Sequence, residues 1–178
     1  MPYGRLNAKQ EAEVRRWVEG YHVHDLGAGD LVLSHKLLDL GAIHVTAIDR
    51  ELSEGRTATR DRRITCFQEH FHNTHDQIST AFVSWPCNWQ DSGLLRLLTR
   101  TSIILYLGTN TRGTACGGPD LFGYLTQREV LAYEPWVENT LIVYGPRRIF
   151  REPRGEEKAA LNSNRIWSYE EAEGDARP

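Results

Sequence analysis

Apolar runs of strand length alternate with amphipathic helical stretches along most of this sequence, and no other feature restricts its fold so strongly. Tyr21 to Leu26 is a short apolar strand, ended by Gly27-Ala28-Gly29. Leu31 to Leu40 follows, with Leu33, Leu37 and Leu40 at helical intervals and Gly41 where a C-cap is expected. His44 to Ile48 is a β-branched run that ends in Asp49. The rhythm continues through strands at Arg63 to Phe67, Ala81 to Trp85 and Ser102 to Leu107, with helices at Asn73 to Thr80 and Gly93 to Arg100. Leu121 to Ala132 reads as a helix, Thr140 to Tyr144 as a sixth strand and Arg165 to Tyr169 as one more. This pattern predicts an α/β fold, a doubly wound and mostly parallel sheet of about seven strands with helices on both faces. The last two strands have no helix between them, which predicts an antiparallel hairpin at one edge.

The 178 residues read as a single domain, 1–178, large enough to bury its own core. Within it, 1–20 carries an N-terminal amphipathic helix from Asn7 to Gly20, and the acidic end, 170–178, is expected to fray. No run reaches the roughly 20 apolar residues of a membrane span, and the N-terminus lacks a signal-peptide pattern. Cys66, Cys87 and Cys116 are too few for a disulfide framework and form no Cys-x-x-Cys pair; a cytoplasmic protein without a zinc site is expected. The formal charge of −3 argues against chain-wide attraction to nucleic acid. Local patches remain at Arg60, Arg62 and Arg63, and at Arg147, Arg148, Arg151 and Arg154.

In a doubly wound sheet, ligands bind beyond the carboxyl ends of the strands, where the strand order reverses. The turn Asp25-Leu26-Gly27-Ala28-Gly29-Asp30 is the expected floor of that site, because glycine lets the backbone approach a ligand closely. A dinucleotide fingerprint needs a third glycine where Val32 stands, and Val32 is expected to crowd the helix against the turn. Asp25 and Asp30 are also poor neighbours for a pyrophosphate, whereas they suit a ligand bearing ammonium and sulfonium charges. Asp49, at the end of the second strand, can accept two hydrogen bonds from a ribose diol.

Val23-His24-Asp25-Leu26-Gly27-Ala28-Gly29, followed by Val45-Thr46-Ala47-Ile48-Asp49, resembles the first two motifs of the class I S-adenosylmethionine-dependent methyltransferases. The similar strand–helix rhythm covers residues 20 to 145. The resemblance implies S-adenosyl-L-methionine as cofactor, with its methionine moiety on the turn of Asp25, Gly27, Gly29 and Asp30, and its ribose on Asp49. It further implies a contact from Gln68 or Glu69, just after the third strand, to the adenine amino group. One departure is Leu31, where the family often has another glycine.

Chemistry is expected at Phe82-Val83-Ser84-Trp85-Pro86-Cys87-Asn88-Trp89. Proline directly after a buried strand stiffens the exit, and Trp85 and Trp89 offer flat apolar surface to the cofactor or to a planar substrate. Ser84, Pro86 and Cys87 are the candidate catalytic residues. Amino-methyltransferases carry an acid or amide, two prolines and an aromatic here, of which Ser84-Trp85-Pro86-Cys87 keeps a polar residue and one proline. Pro86-Cys87 instead resembles the pair of the cytosine-carbon methyltransferases, whose thiolate adds to the base; the Glu-Asn-Val motif of that group is absent. His70, His72 and His75, beside Glu69 and Asp76, read as solvent-facing or capping groups rather than metal ligands. The loop Gly108 to Gly118 lies on the same sheet edge and reads as a substrate lid, with Arg112 available for an anion. The expected activity is methyl transfer to an acceptor left open between a nucleic-acid base and a small molecule. A non-catalytic binding or scaffold protein on the same fold is the alternative.

Overall fold

The computed structural model describes residues 5–52, 61–71, 73, 74, 77–86, 92–109, 117–137 and 139–147. The compact unit they build is Met1–Arg147. In chain order its elements are α1 (Ala8–Val18), β1 (His22–Leu26), α2 (Val32–Asp39), β2 (His44–Asp49), β3 (Ile64–Gln68), β4 (Thr80–Ser84), α3 (Ser92–Leu98), β5 (Ile103–Gly108), α4 (Pro119–Leu125), β6 (Arg128–Pro135) and β7 (Thr140–Arg147). The seven strands form one sheet in the order β3-β2-β1-β4-β5-β7-β6. β1 to β5 pair in parallel, and β7 runs antiparallel to both β5 and β6. The doubly wound, mostly parallel sheet expected from the sequence is present, antiparallel edge included.

Period-two alternation along each strand feeds two cores. Val23, Val45, Ala47, Phe82, Leu105, Leu107, Leu141 and Val143 face α1 and α2, meeting Val14, Val18, Leu33 and Leu37. Leu26, Ile48, Ala81, Val83, Ile104, Tyr106, Ile142 and Tyr144 face α3 and α4, meeting Leu94, Leu97, Leu98, Leu121 and Leu125. Each fully buried aliphatic side chain contributes roughly 1.5–3 kcal/mol relative to exposure, so the strands are held from both sides. α1 starts at a reciprocal cap in which Asn7 and Gln10 satisfy each other's backbone N–H groups at 2.9 and 3.1 Å. The buried Gln10 then reaches the far edge of the sheet, donating to Glu134 O at 3.0 Å and Asn139 Oδ1 at 2.9 Å.

Three sequence expectations are corrected. The helix placed over Leu121 to Ala132 ends at Leu125, and Arg128–Pro135 is instead the edge strand β6. Arg128 explains the break, because its guanidinium is 3% exposed and every N–H is spent. It donates to Leu98 O, Thr101 O, Ser102 O, Gly145 O and the Tyr124 hydroxyl, tying the end of α3 to the starts of β5 and β6 and the end of β7. The edge hairpin is therefore β6–β7; the strand expected at Arg165 to Tyr169 lies outside the described residues. The helix expected over Asn73 to Thr80 is not seen among the described residues of that span: Asn73 is in a turn, its N–H donating to His70 O at 2.9 Å, and Thr80 already belongs to β4. Among the described residues no helix is long and apolar enough to cross a membrane.

Candidate functional site

The sheet order reverses between β1 and β4, and a cleft opens at their carboxyl ends. Its walls are Leu26 and Gly27 after β1, Asp49 and Arg50 after β2, Glu69, His70 and Phe71 after β3, and Ser84, Trp85 and Pro86 after β4, with Leu94 of α3 below.

The turn after β1 is bound to the end of β2. Gly27 N donates to Ile48 O at 2.9 Å, and Gly29 N to Asp49 Oδ2 at 2.9 Å. Asp49 Oδ1 accepts from Glu51 N at 2.8 Å, so each carboxylate oxygen keeps a lone pair for a further donor. Gly27 (φ 85) and Gly29 (φ 51) lie in the left-handed region, where a side chain is strained. A Cβ on Gly29 would meet nothing within 4 Å, so its conformation, and not lack of room, calls for glycine. Leu31 also lies in that region, at φ 64, although it carries a side chain. The departure from a third glycine therefore changes the residue while keeping a glycine-like backbone, at roughly 1–2 kcal/mol of strain. Leu31 is 3% exposed within the core, and that burial offsets the strain. Asp30 Oδ1 accepts from Val32 N at 3.3 Å, at the start of α2. Val32 itself is 55% exposed, so the crowding expected of it does not occur. Only the acidic groups of this turn then disfavour a pyrophosphate.

Asp25 is completely buried at the base of this turn. Ser34 Oγ donates to its Oδ2 at 2.6 Å, while Oδ1 has no hydrogen-bond partner. Burial, reinforced by the charges of Asp49 and Asp30 and opposed by the Ser34 bond, pushes its carboxyl up to about 7. A buried acceptor without a donor is costly, which favours the neutral acid here.

The turn after β4 differs. Ser84 and Trp85 line the cleft, and Trp85 adopts φ 46, held by its N–H donating to Leu107 O at 2.8 Å. Proline is locked near φ −65° (about ±15°), so the backbone at position 85 rejects the double-proline pattern of the amino-methyltransferases. Pro86 O accepts from Gly117 N at 2.6 Å, which stitches this turn to the residues just ahead of α4. Cys87, Trp89 and Arg112 lie outside the described residues, as do His72, His75 and Asp76.

The structure thus brings Gly27, Asp49, Glu69, Ser84, Trp85 and Pro86 onto one cleft. Gln68 is exposed and not on its walls, which separates the two residues named after β3. The Glu69 carboxylate accepts from Thr74 Oγ1 at 2.8 Å, which orients it. Asp25, Gly29 and Asp30 support the turn from behind the lining. Arg50, Phe71 and Leu94 were not singled out by sequence, and His70, read there as a solvent-facing or capping group, lines the cleft; being at a strand's carboxyl end was the available signal for Arg50, His70 and Phe71. Among the described residues no group of three or more His, Cys, Asp or Glu side chains is arranged to hold a metal ion.

Solved structures share this architecture. A candidate RNA methyltransferase from Pyrococcus horikoshii superposes with a TM-score of 0.57 at 16% identity, covering 82% of this chain and 88% of that one. What is shared is a Rossmann-like α/β fold. The ribosomal protein L11 methylase of Lactobacillus delbrueckii subsp. bulgaricus gives 0.55 at 15% identity, over 82% of this chain and 81% of that one. A candidate tRNA methyltransferase from Streptococcus pneumoniae gives 0.56 at 14% identity, over 82% and 72%. No family model and no curated protein matches the sequence. The likeness to these proteins is thus one of fold.

Proposed function

We propose that this chain is an S-adenosylmethionine-dependent methyltransferase whose cofactor lies across the turn after β1 and whose acceptor enters beside Ser84 to Pro86. The observation that carries the reading is the bond from Gly29 N to Asp49 Oδ2, which makes the glycine turn and the acid after β2 one preorganised unit. The residues fit such a ligand. Asp25 adds an acidic group behind the turn, Gly27 and Gly29 leave the backbone open, and Asp49 keeps lone pairs for a ribose diol. Glu69 faces the cleft where an exocyclic amine would be read.

The bound cofactor would supply a methyl group on a sulfonium, open to in-line displacement by the acceptor. The protein's contribution is alignment and exclusion of water. Asp49 and Glu69 fix the nucleoside, the turn fixes the amino-acid end, and Trp85, Phe71 and Pro86 give a flat apolar wall against which a planar acceptor can rest. A nucleic-acid base or a small ring compound suits that wall. The similar folds include proteins described as acting on RNA, tRNA and a ribosomal protein, so fold leaves the acceptor open.

Calorimetry with S-adenosylmethionine and its demethylated product tests the reading. Binding that Asp49→Ala weakens is expected, and binding indifferent to that change counts against it. The second reading, a binding protein on the same fold without transfer, is favoured by the Trp85 conformation, which departs from the double-proline turn. Release of labelled methyl onto an RNA and small-molecule panel separates the two.

A further inference from the structure

We propose that Thr74 and Arg96, neither of which lines the cleft, are positioning residues for nucleoside recognition: Thr74 aims the Glu69 carboxylate, and Arg96 fixes the loop that carries both. The inference rests on the reading of the cleft as a cofactor site, because the exocyclic amine of that cofactor is the group Glu69 would read.

The chain between β3 and β4 is short, and its described residues form no helix. Its backbone groups therefore lack the partners a helix would supply, and others must satisfy them. Some of these partners are local. Asn73 N donates to His70 O at 2.9 Å and Thr74 N to Phe71 O at 3.4 Å, which closes the turn on itself. The rest comes from α3. Arg96 Nη2 donates to Phe71 O at 3.1 Å and to Thr74 O at 3.0 Å, so one guanidinium nitrogen bridges two carbonyls of the loop. α3 thus acts on the cleft twice: Leu94 enters its lining, and Arg96 grips the loop outside it.

Thr74 is 4% exposed, and its Oγ1 donates to Glu69 Oε1 at 2.8 Å. Glu69 N donates to Asp49 O at 3.1 Å, which sets the backbones of the two cleft acids side by side. The backbone of Glu69 is therefore held by β2 and its carboxylate by Thr74. No other hydrogen bond to this carboxylate is made among the described residues, so Oε2 keeps its lone pairs for a ligand. A free glutamate side chain loses rotamer freedom when a ligand orders it. One already aimed avoids that cost on binding. A carboxylate so held accepts from a ring amine and repels a ring carbonyl. Thr74 and Arg96 act on that choice, through Glu69.

The test is calorimetric titration of the full chain with S-adenosylhomocysteine and with its inosine analogue, in which a ring carbonyl replaces the amine. The quantity read is the ratio of the two affinities. Thr74→Val, close in shape, should lower that ratio about tenfold, mainly by weakening the adenosine ligand, and Thr74→Ser should restore it. Added to Glu69→Ala, Thr74→Val should change the ratio no further, since it acts through that carboxylate. Arg96→Ala should lower the ratio in the same direction, with folding checked by thermal melts; where it does not fold, Arg96→Gln is read instead. A merely structural role would lower the melting temperature and both affinities together, leaving the ratio at its wild-type value. A wild-type ratio in Thr74→Val, where Glu69→Ala lowers it, overturns the proposal and leaves the cofactor reading standing. A wild-type ratio in the folded Arg96 variant overturns the part given to Arg96. A ratio that Glu69→Ala does not move overturns the whole relay, and failure to bind either ligand overturns the cofactor reading with it.

Discussion

The turns after β1 and after β4 flank the same cleft, and each holds a side-chain-bearing residue in the left-handed region, Leu31 at φ 64 and Trp85 at φ 46. Their strain is met in different ways. Leu31 lies in the core at 3% exposure, and its turn is closed by bonds to Ile48 and Asp49. Trp85 is only half-buried and forms a wall of the cleft, held by Leu107 behind it. Strain compensated inside the fold builds a rigid platform. Strain at a cleft wall persists where a ligand gains from the exposed surface. Under the proposed function, the first turn is the fixed floor and the second is the side that would distinguish acceptors.

Breaking the floor should have the largest effect. Asp49→Ala removes the acceptor for both Gly29 N and Glu51 N, and should weaken cofactor binding by roughly 2–3 kcal/mol, or about a hundredfold at the upper end, in calorimetry. Leu31→Gly relieves about 1–2 kcal/mol of backbone strain but deletes a buried leucine worth about 2–5 kcal/mol. A net loss of stability is expected in denaturant melts, which shows that the core, and not the turn, selects leucine there. At Trp85 the order reverses between two truncations. Trp85→Gly should be more stable than Trp85→Ala by about 1 kcal/mol, because only glycine takes φ 46 freely. Equal stabilities would remove strain from the account of this turn.

Asp25 gives a subtler contrast. Its folded value, about 7, lies above the ordinary 3.8, so the folded state binds the proton more tightly. Its contribution to stability is complete at low pH and is lost as pH rises through the folded value. Between pH 6 and 8 this amounts to a loss of about 1 kcal/mol in wild type that Asp25→Asn, which does not titrate, should not show in melts. The smallest effect is expected at the edge of the cleft: Gln68→Ala should leave cofactor affinity within about 0.5 kcal/mol of wild type, whereas Glu69→Ala lowers it measurably.

Much of the platform was legible from residue order. A strand ending in Asp25-Leu26-Gly27-Ala28-Gly29 and a second ending in Asp49 are local patterns. Glycine's backbone freedom and the two-residue period of strands act between near neighbours in the chain, so the first two strands, their turn and the cleft's main residues could be named directly. The other half was less legible. Arg128 to Pro135 continues a helix-like stretch in sequence, yet becomes a strand because β7 offers it a partner and the carbonyls of Leu98, Thr101, Ser102 and Gly145 take its buried arginine. The nearest of those carbonyls in sequence lies 17 residues away, beyond the reach of any local period.

The sequence by itself determined the α/β alternation, the glycine turn and the acids around it, since these depend on residue type and short spacing. Only the tertiary structure decided that Leu31 adopts a glycine's conformation, that Val32 faces solvent, that Glu69 and not Gln68 lines the cleft, and that Asp25 loses its water. Each of those depends on what packs against the residue from distant parts of the chain, and desolvation has no signature in the order of neighbours.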